Sequence, residues 1–107
     1  MEACVVLITI PHRQAHEFVQ KLLEARLCAC VNIIERVISR YWWGGKIERE
    51  EESLLIIKTH RECMDLLMLR VRQWHPYEVP EVIALPILEG NPDYLDWMGK
   101  VLRRDGE

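Results

Sequence analysis

The sequence predicts an α+β fold of the ferredoxin-like kind, a β-α-β-β-α-β sandwich with a long projecting hairpin and a C-terminal helix. Three observations predict it. Strand-like apolar runs and amphipathic helical stretches alternate in that order. The pair Gly44-Gly45 divides two long strand-like segments. The chain has 107 residues, half of them apolar and 29% charged, which suits a single soluble domain over 1–107.

Residues 3–10 are almost continuously apolar and stop at Pro11, as a central strand covered on at least one face would. Over residues 12–28 the spacing turns helical. Ala15, Phe18, Val19, Leu22, Leu23 and Leu27 fall on one side, and Arg13, Glu17, Gln20, Lys21 and Glu24 on the other. Residues 30–43 and 46–58 read as two strands joined by the glycine turn. Apolar parity slips between Ile33-Ile34 and Val37-Ile38, which predicts a bulge at Glu35-Arg36. The second strand opens with Glu48, Glu50, Glu51 and Glu52. It closes on Leu54-Leu55-Ile56-Ile57, a run expected to be buried on both faces.

Thr59 followed by Glu62 fits a capping box, so a helix is expected from about 60 to 74. Its apolar stripe is Cys63, Met64, Leu67, Val71 and Trp74. Pro76 and Pro80 force an extended connection through 75–81. Residues 82–87 form the fourth strand, with Pro86 at its end or at an edge. Asn91 caps a last helix that has Pro92 at its first position, and Arg103 and Arg104 suit its C-terminal end.

Length decides how the hairpin lies. Fourteen extended residues span about 45 Å at ~3.3 Å each, whereas a compact domain of this size has a radius of gyration near ~13 Å. The hairpin must project or bend, with Tyr41, Trp42 and Trp43 at its tip. Exposed rings on unpaired strand edges are a liability unless another chain covers them. An oligomer with Tyr41, Trp42 and Trp43 at its interface is therefore expected.

Composition excludes several classes. No apolar run is long enough for a membrane helix. The start lacks a basic stretch and a small-residue cleavage site, so it reads as a strand and the expected location is cytoplasmic. A net charge of −3 argues against nucleic-acid and membrane partners. RNA-recognition sheets place aromatics on central strands in a basic setting, and the first strand here has none. Cys4, Cys28, Cys30 and Cys63 are expected to be reduced, mostly buried small hydrophobes.

Five stretches carry a family likeness: Cys28-Ala29-Cys30-Val31-Asn32-Ile33-Ile34, Tyr41-Trp42-Trp43, Ile57-Lys58-Thr59, the run from His75-Pro76-Tyr77-Glu78 to Glu81, and Pro92-Asp93-Tyr94-Leu95-Asp96-Trp97. Together they resemble the motifs of the CutA divalent-cation-tolerance family, in the same order and over nearly the whole chain. The resemblance implies a ferredoxin-like protomer in a tight homotrimer whose long hairpins join neighbouring subunits. It also implies a cytoplasmic role in tolerance of divalent metals, copper above all; no catalytic activity is established for the family as a whole, and the chain is expected to be no enzyme and to need no obligatory cofactor. Copper or another divalent cation is then the ligand to expect. In relatives credited with copper binding, the resemblance places a cysteine in the first strand and a His-His pair before Pro-Tyr. Here Ile8 and Trp74 stand at two of those positions and His75 at the third.

The candidate metal ligands are therefore His75 and Cys30. His75 ends a helix, whose partial negative charge favours the charged imidazole, and Glu78 and Glu81 are near in sequence. It is either a ligand or a cap for helix carbonyls. Cys30 is either a soft-metal ligand or a packed, inert thiol. Lys58, Tyr77, Glu78, Glu81 and Trp97 are the candidate lining of a ligand cleft, with Lys58 paired to a carboxylate or free for an anion. His12 and His16, four apart, form a possible metal clip or an inert surface pair. The acidic run is either a hard-cation site or a solvated face ion-paired to Arg36, Arg40 and Arg49. Three functions are weighed: a metal-tolerance trimer, a small-ligand sensor or scaffold trimer, and an enzyme. Against the enzyme stands the lack of a nucleophile elbow, phosphate loop or metallohydrolase motif, with Cys30 and His75 the one nucleophile-base pair to test.

Overall fold

The computed structural model describes residues 2–103. Its elements are β1 (Ala3–Ile10), α1 (His12–Glu24), β2 (Cys30–Trp43), β3 (Lys46–His60), α2 (Met64–Trp74), β4 (Val82–Pro86) and α3 (Pro92–Val101), with a 3-10 turn at Arg61–Cys63 leading into α2. The four strands form one antiparallel sheet in the order β2-β3-β1-β4. That is the expected split β-α-β arrangement.

Strand alternation builds the core. Cys4, Val6, Ile8 and Ile10 of β1 are buried, as are Ser53, Leu55, Ile57 and Thr59 of β3. Ala15, Phe18, Val19 and Leu22 of α1 and Leu67 and Val71 of α2 close over them, and Met98 of α3 and Leu102 complete the cluster. Each fully buried Leu, Ile or Val contributes about 1.5–3 kcal/mol relative to exposure.

The opposite face of the sheet differs from expectation. Leu54 and Ile56 are only half-buried, because no helix among the described residues packs over that face. Register puts Val5 and Leu7, together with exposed Ile34, Ile83 and Leu85, on that same face. Leu54-Leu55-Ile56-Ile57 is thus buried on one face within the single chain, not on both.

Two helix ends also differ. Thr59 is no cap: β3 runs on to His60, and the Thr59 hydroxyl donates to the Leu27 carbonyl at 2.6 Å. Pairing of Cys4 with Thr59 and Ala3 with His60 extends the ladder through the would-be capping box. The first helix stops at Glu24, short of residue 28, because Arg26 takes a left-handed φ of 57°. The Leu27 and Arg26 N–H groups then bond back to the Leu22 and Leu23 carbonyls, a Schellman ending that still delivers Leu27 to the core. The start of α3 is as expected, with the Asn91 side chain accepting from the Asp93 N–H at 3.0 Å. Its last turn is served by Arg26, whose guanidinium donates to the Val101 carbonyl at 2.9 Å. Arg104, expected there too, lies outside the described residues.

β1 pairs with β3 only as far as Ile10 facing Ser53, so the hairpin continues beyond that point as a two-stranded arm. The ladder shifts register between Ile34 and Val37, where the bulge is expected. The longest dimension of the chain is 44 Å. Tyr41, Trp42 and Trp43 sit on the arm and are exposed, Trp42 at 72%. Gly44 and Gly45 close the arm with φ of 58° and 77°, the mirror-image turn that matches strand twist. A side chain at either glycine meets no atom within 4 Å, so any penalty is one of backbone conformation alone. Gly45→Val is expected to cost about 1–2 kcal/mol, and Gly45→Asn much less, because asparagine tolerates the left-handed region. Urea denaturation of the two variants checks this; equal losses would overturn it.

Candidate functional site

The site begins where α2 ends. Pro76 disfavours helical geometry at His75, which turns extended while its N–H still bonds the Val71 carbonyl at 2.8 Å. This carries the imidazole back under β1. Its Nε2 lies 2.7 Å from the Thr9 carbonyl, and its Nδ1 lies 3.0 Å from the Tyr77 N–H. A carbonyl only accepts and an amide N–H only donates. The ring therefore carries its proton on Nε2 and is neutral, with both nitrogens engaged. Burial holds its pKa below the ordinary imidazole range, outweighing the opposing pull of the Thr9 bond and the Glu52 charge. The charged imidazole expected at a helix end is not favoured here, because burial disfavours the charged form and the Tyr77 N–H needs Nδ1 as an acceptor.

Tyr77 lies against His75, with ring centroids 4.9 Å apart, and its hydroxyl donates to Glu52 Oε2 at 2.9 Å. Glu52 is 4% exposed, the one buried member of the acidic run. Burial first, then the Glu52 bond and charge, raise the pKa of the Tyr77 hydroxyl and keep it protonated. Tyr77, Glu78 and Glu81 line one cleft of about 960 Å³ at the root of the arm, facing Arg40, Tyr41 and Glu52. Nearby on the arm, Glu51 is held below the usual carboxylate range by its hydrogen bond to Arg36, and Arg49 approaches it at 3.5 Å.

Lys58 and Trp97 do not join that cleft. Lys58 faces Cys30 across the ladder and donates to the Asn32 side chain and, at 3.4 Å, to the Ile56 carbonyl, not to a carboxylate. Trp97 leans on Tyr94 with centroids 5.4 Å apart. Burial first, then the neighbouring Cys30 thiol, raise the pKa of the Tyr94 hydroxyl. All four cysteines are free; Cys4, Cys28 and Cys63 are buried and Cys30 is half-buried. Burial, reinforced by Cys30 and Cys63, pushes the Cys28 thiol up to about 12, the state of an inert packed thiol.

His75 and Cys30 are set apart. His75 bonds Thr9, while Cys30 faces Lys58, which in turn faces Val5. Four residues along a strand is roughly 13 Å. Among the described residues no three His, Cys, Asp or Glu side chains converge so as to hold a metal ion. Ile8 is wholly buried in the core, and the Trp74 ring is flanked by the Lys21 ammonium at 5.7 Å and the Arg70 guanidinium at 5.8 Å. Within the single chain, then, the donor set does not fit a multi-ligand copper site, and His75 offers no free lone pair. The Glu52–Tyr77 pair escaped the sequence reading. The one signal for it was the position of Glu52, where the acidic run meets the apolar one.

The fold and site define a ferredoxin-like α+β domain with a two-stranded arm and a polar cleft at the arm's root. Residues 4–101 match the family model described as CutA1 divalent ion tolerance protein. The chain is 47% identical over 95 residues to the divalent-cation tolerance protein CutA of Thermus thermophilus, covering 88% of this chain and 92% of that one. It is 45% identical over 95 residues to the chloroplastic protein CutA 1 of rice, Oryza sativa, covering 88% of this chain but only 54% of that longer protein. The crystal structure of CutA1 from Oryza sativa superposes with a TM-score of 0.95 at 40% identity, over 98% of this chain and 97% of that one. The chain belongs to the CutA1 divalent ion tolerance family. No helix among the described residues is long and apolar enough to cross a membrane.

Proposed function

We propose that the chain acts in the cytoplasm as a homotrimer in tolerance of divalent metals, copper first among them, and that it binds Cu(II) weakly. Family membership supports the tolerance role. The observation that carries the assembly is the half-covered sheet face joined to an exposed aromatic arm. Val5, Leu7, Leu54 and Ile56 are left half-buried, and Trp42, Trp43 and Ile47 are exposed on paired strands that no other strand among the described residues flanks. A neighbouring copy would remove this apolar surface from water at about 25 cal/mol per Å². Weak binding agrees with the scattered donors, since affinity for Cu(II) grows with the number of converging nitrogen and sulfur ligands.

A second reading, a small-ligand sensor or scaffold trimer without a metal function, is favoured by the cleft around Tyr77, Glu78 and Glu81. Native mass spectrometry of the chelator-stripped protein, with and without one equivalent of Cu(II) per chain, separates the readings. The expected main species has three times the 12.7 kDa chain mass and takes up copper. A monomeric main peak would overturn the assembly. A trimer indifferent to copper would favour the second reading.

A further inference from the structure

We propose that His12 and His16 form a two-histidine site for a borderline divalent cation, Cu(II) ahead of Zn(II), on the exposed face of α1. The helix begins at His12, so the two imidazoles stand one turn apart on the same side. Their ring centroids are 6.0 Å apart. Two imidazoles each about 2.1 Å from one ion hold their centroids no more than roughly 6.5 Å apart. The observed spacing lies inside that limit, and rotation of the two side chains on a fixed backbone closes it to the smaller separation that a bent N–ion–N angle needs.

What separates this pair from an ordinary surface pair is a tautomer imposed from β3. The Ser53 hydroxyl donates to the Glu35 carbonyl at 2.9 Å, and the same oxygen lies 2.9 Å from His12 Nδ1. A hydroxyl has one proton, and a carbonyl can only accept it. His12 must therefore donate from Nδ1 to Ser53, which leaves the lone pair on Nε2. A histidine that donates its other N–H to a fixed acceptor is the arrangement that orients metal-binding imidazoles. The anchor is rigid: Ser53 is fully buried, and Glu35 sits in the register shift between Ile34 and Val37. His16 is solvent-exposed and supplies the second nitrogen, with water in the remaining positions.

The surroundings keep the affinity modest. The first turn of α1 holds no acidic residue, Arg13 adjoins the pair, and the positive end of the helix dipole opposes a cation. Imidazole donors with open positions rank Cu(II) above Zn(II). None of these residues belongs to the His75 and Cys30 candidates, so the site stands or falls apart from the copper-tolerance reading.

The test is a Cu(II) titration of the full chain by calorimetry, with electron paramagnetic resonance reporting the nitrogens bound. Wild type, His16→Gln, His12→Gln, Ser53→Ala and His75→Gln are compared, with far-UV circular dichroism to check the fold. One Cu(II) per chain with a two-nitrogen signature is expected in wild type and in His75→Gln. Affinity is expected to fall at least about ten-fold in either His12→Gln or His16→Gln, and about ten-fold in Ser53→Ala through loss of the orienting bond. Wild-type affinity in His16→Gln would overturn the proposal, as would absence of binding to wild type. Loss of binding only in His75→Gln would overturn it too, and would leave the copper reading standing.

Discussion

Leu55→Ala is expected to destabilise the protein by about 3–4 kcal/mol, in the upper part of the range for buried leucines. Leu55 is fully buried at the centre of the sheet, facing Ile8 on one side and Ile33 on the other. Both flanking strands are held by their own ladders, so the void cannot close by a backbone shift, and the cavity contribution adds to the lost transfer energy. Urea denaturation at fixed protein concentration checks this, with the midpoint falling and the slope unchanged. A loss below about 1 kcal/mol would mean that the two ladders give way more readily than their pairing implies. Ile56→Ala, one residue on and facing the half-covered side, separates protomer from assembly. Its cost should be well below that of Leu55→Ala if the face stays in water, and should approach it if another copy packs there.

Stability is expected to drop as pH falls below about 6.5, the ordinary imidazole value. Burial lowers the pKa of His75, and that of His60, in the folded chain. The unfolded chain therefore binds protons first. This contribution is present in full above the unfolded value and is lost as pH falls toward the folded one. Each such histidine steepens the dependence by up to about 1.4 kcal/mol per pH unit inside that window. Urea midpoints from about pH 7.5 to about pH 5.5 measure the slope above the ordinary carboxylate range. His75→Gln removes one titrating group. The variant should lose about 1–3 kcal/mol at neutral pH, through imperfect replacement of the bonds to Thr9 and Tyr77, and should show a shallower slope. An unchanged slope would show that His75 does not carry the acid sensitivity.

Much of the architecture could be read from short-range patterns. The apolar run of residues 3–10, the helical stripe Ala15-Phe18-Val19-Leu22 and the Gly44-Gly45 turn each name an element through its own period or backbone need, and each stands where expected. The parity slip at Ile34 and Val37 foretold the bulge. The Thr59–Glu62 pattern misled for the opposite reason. A cap competes with strand pairing, and the deciding partners, Ala3 and Cys4, are some 55 residues away. The candidate cleft was legible in part. Tyr77, Glu78 and Glu81 share a stiff proline-bounded connection and arrive together, whereas Lys58 and Trp97 sit on elements whose placement no local pattern reveals.

The sequence by itself determined the order of elements, the fold class, the projecting arm and the family, because these follow from periodicity, turn chemistry, length and motif order along one chain. Only the tertiary structure decided the chemical state of the polar groups. Thr9 and Tyr77 make His75 neutral and occupy both its nitrogens, Tyr77 buries the Glu52 carboxylate, and Ser53 with Glu35 sets the tautomer of His12. Proton placement and lone-pair direction depend on which donors and acceptors meet across the fold and how far water is excluded. Those meetings are made by strand register and packing between residues distant in the chain.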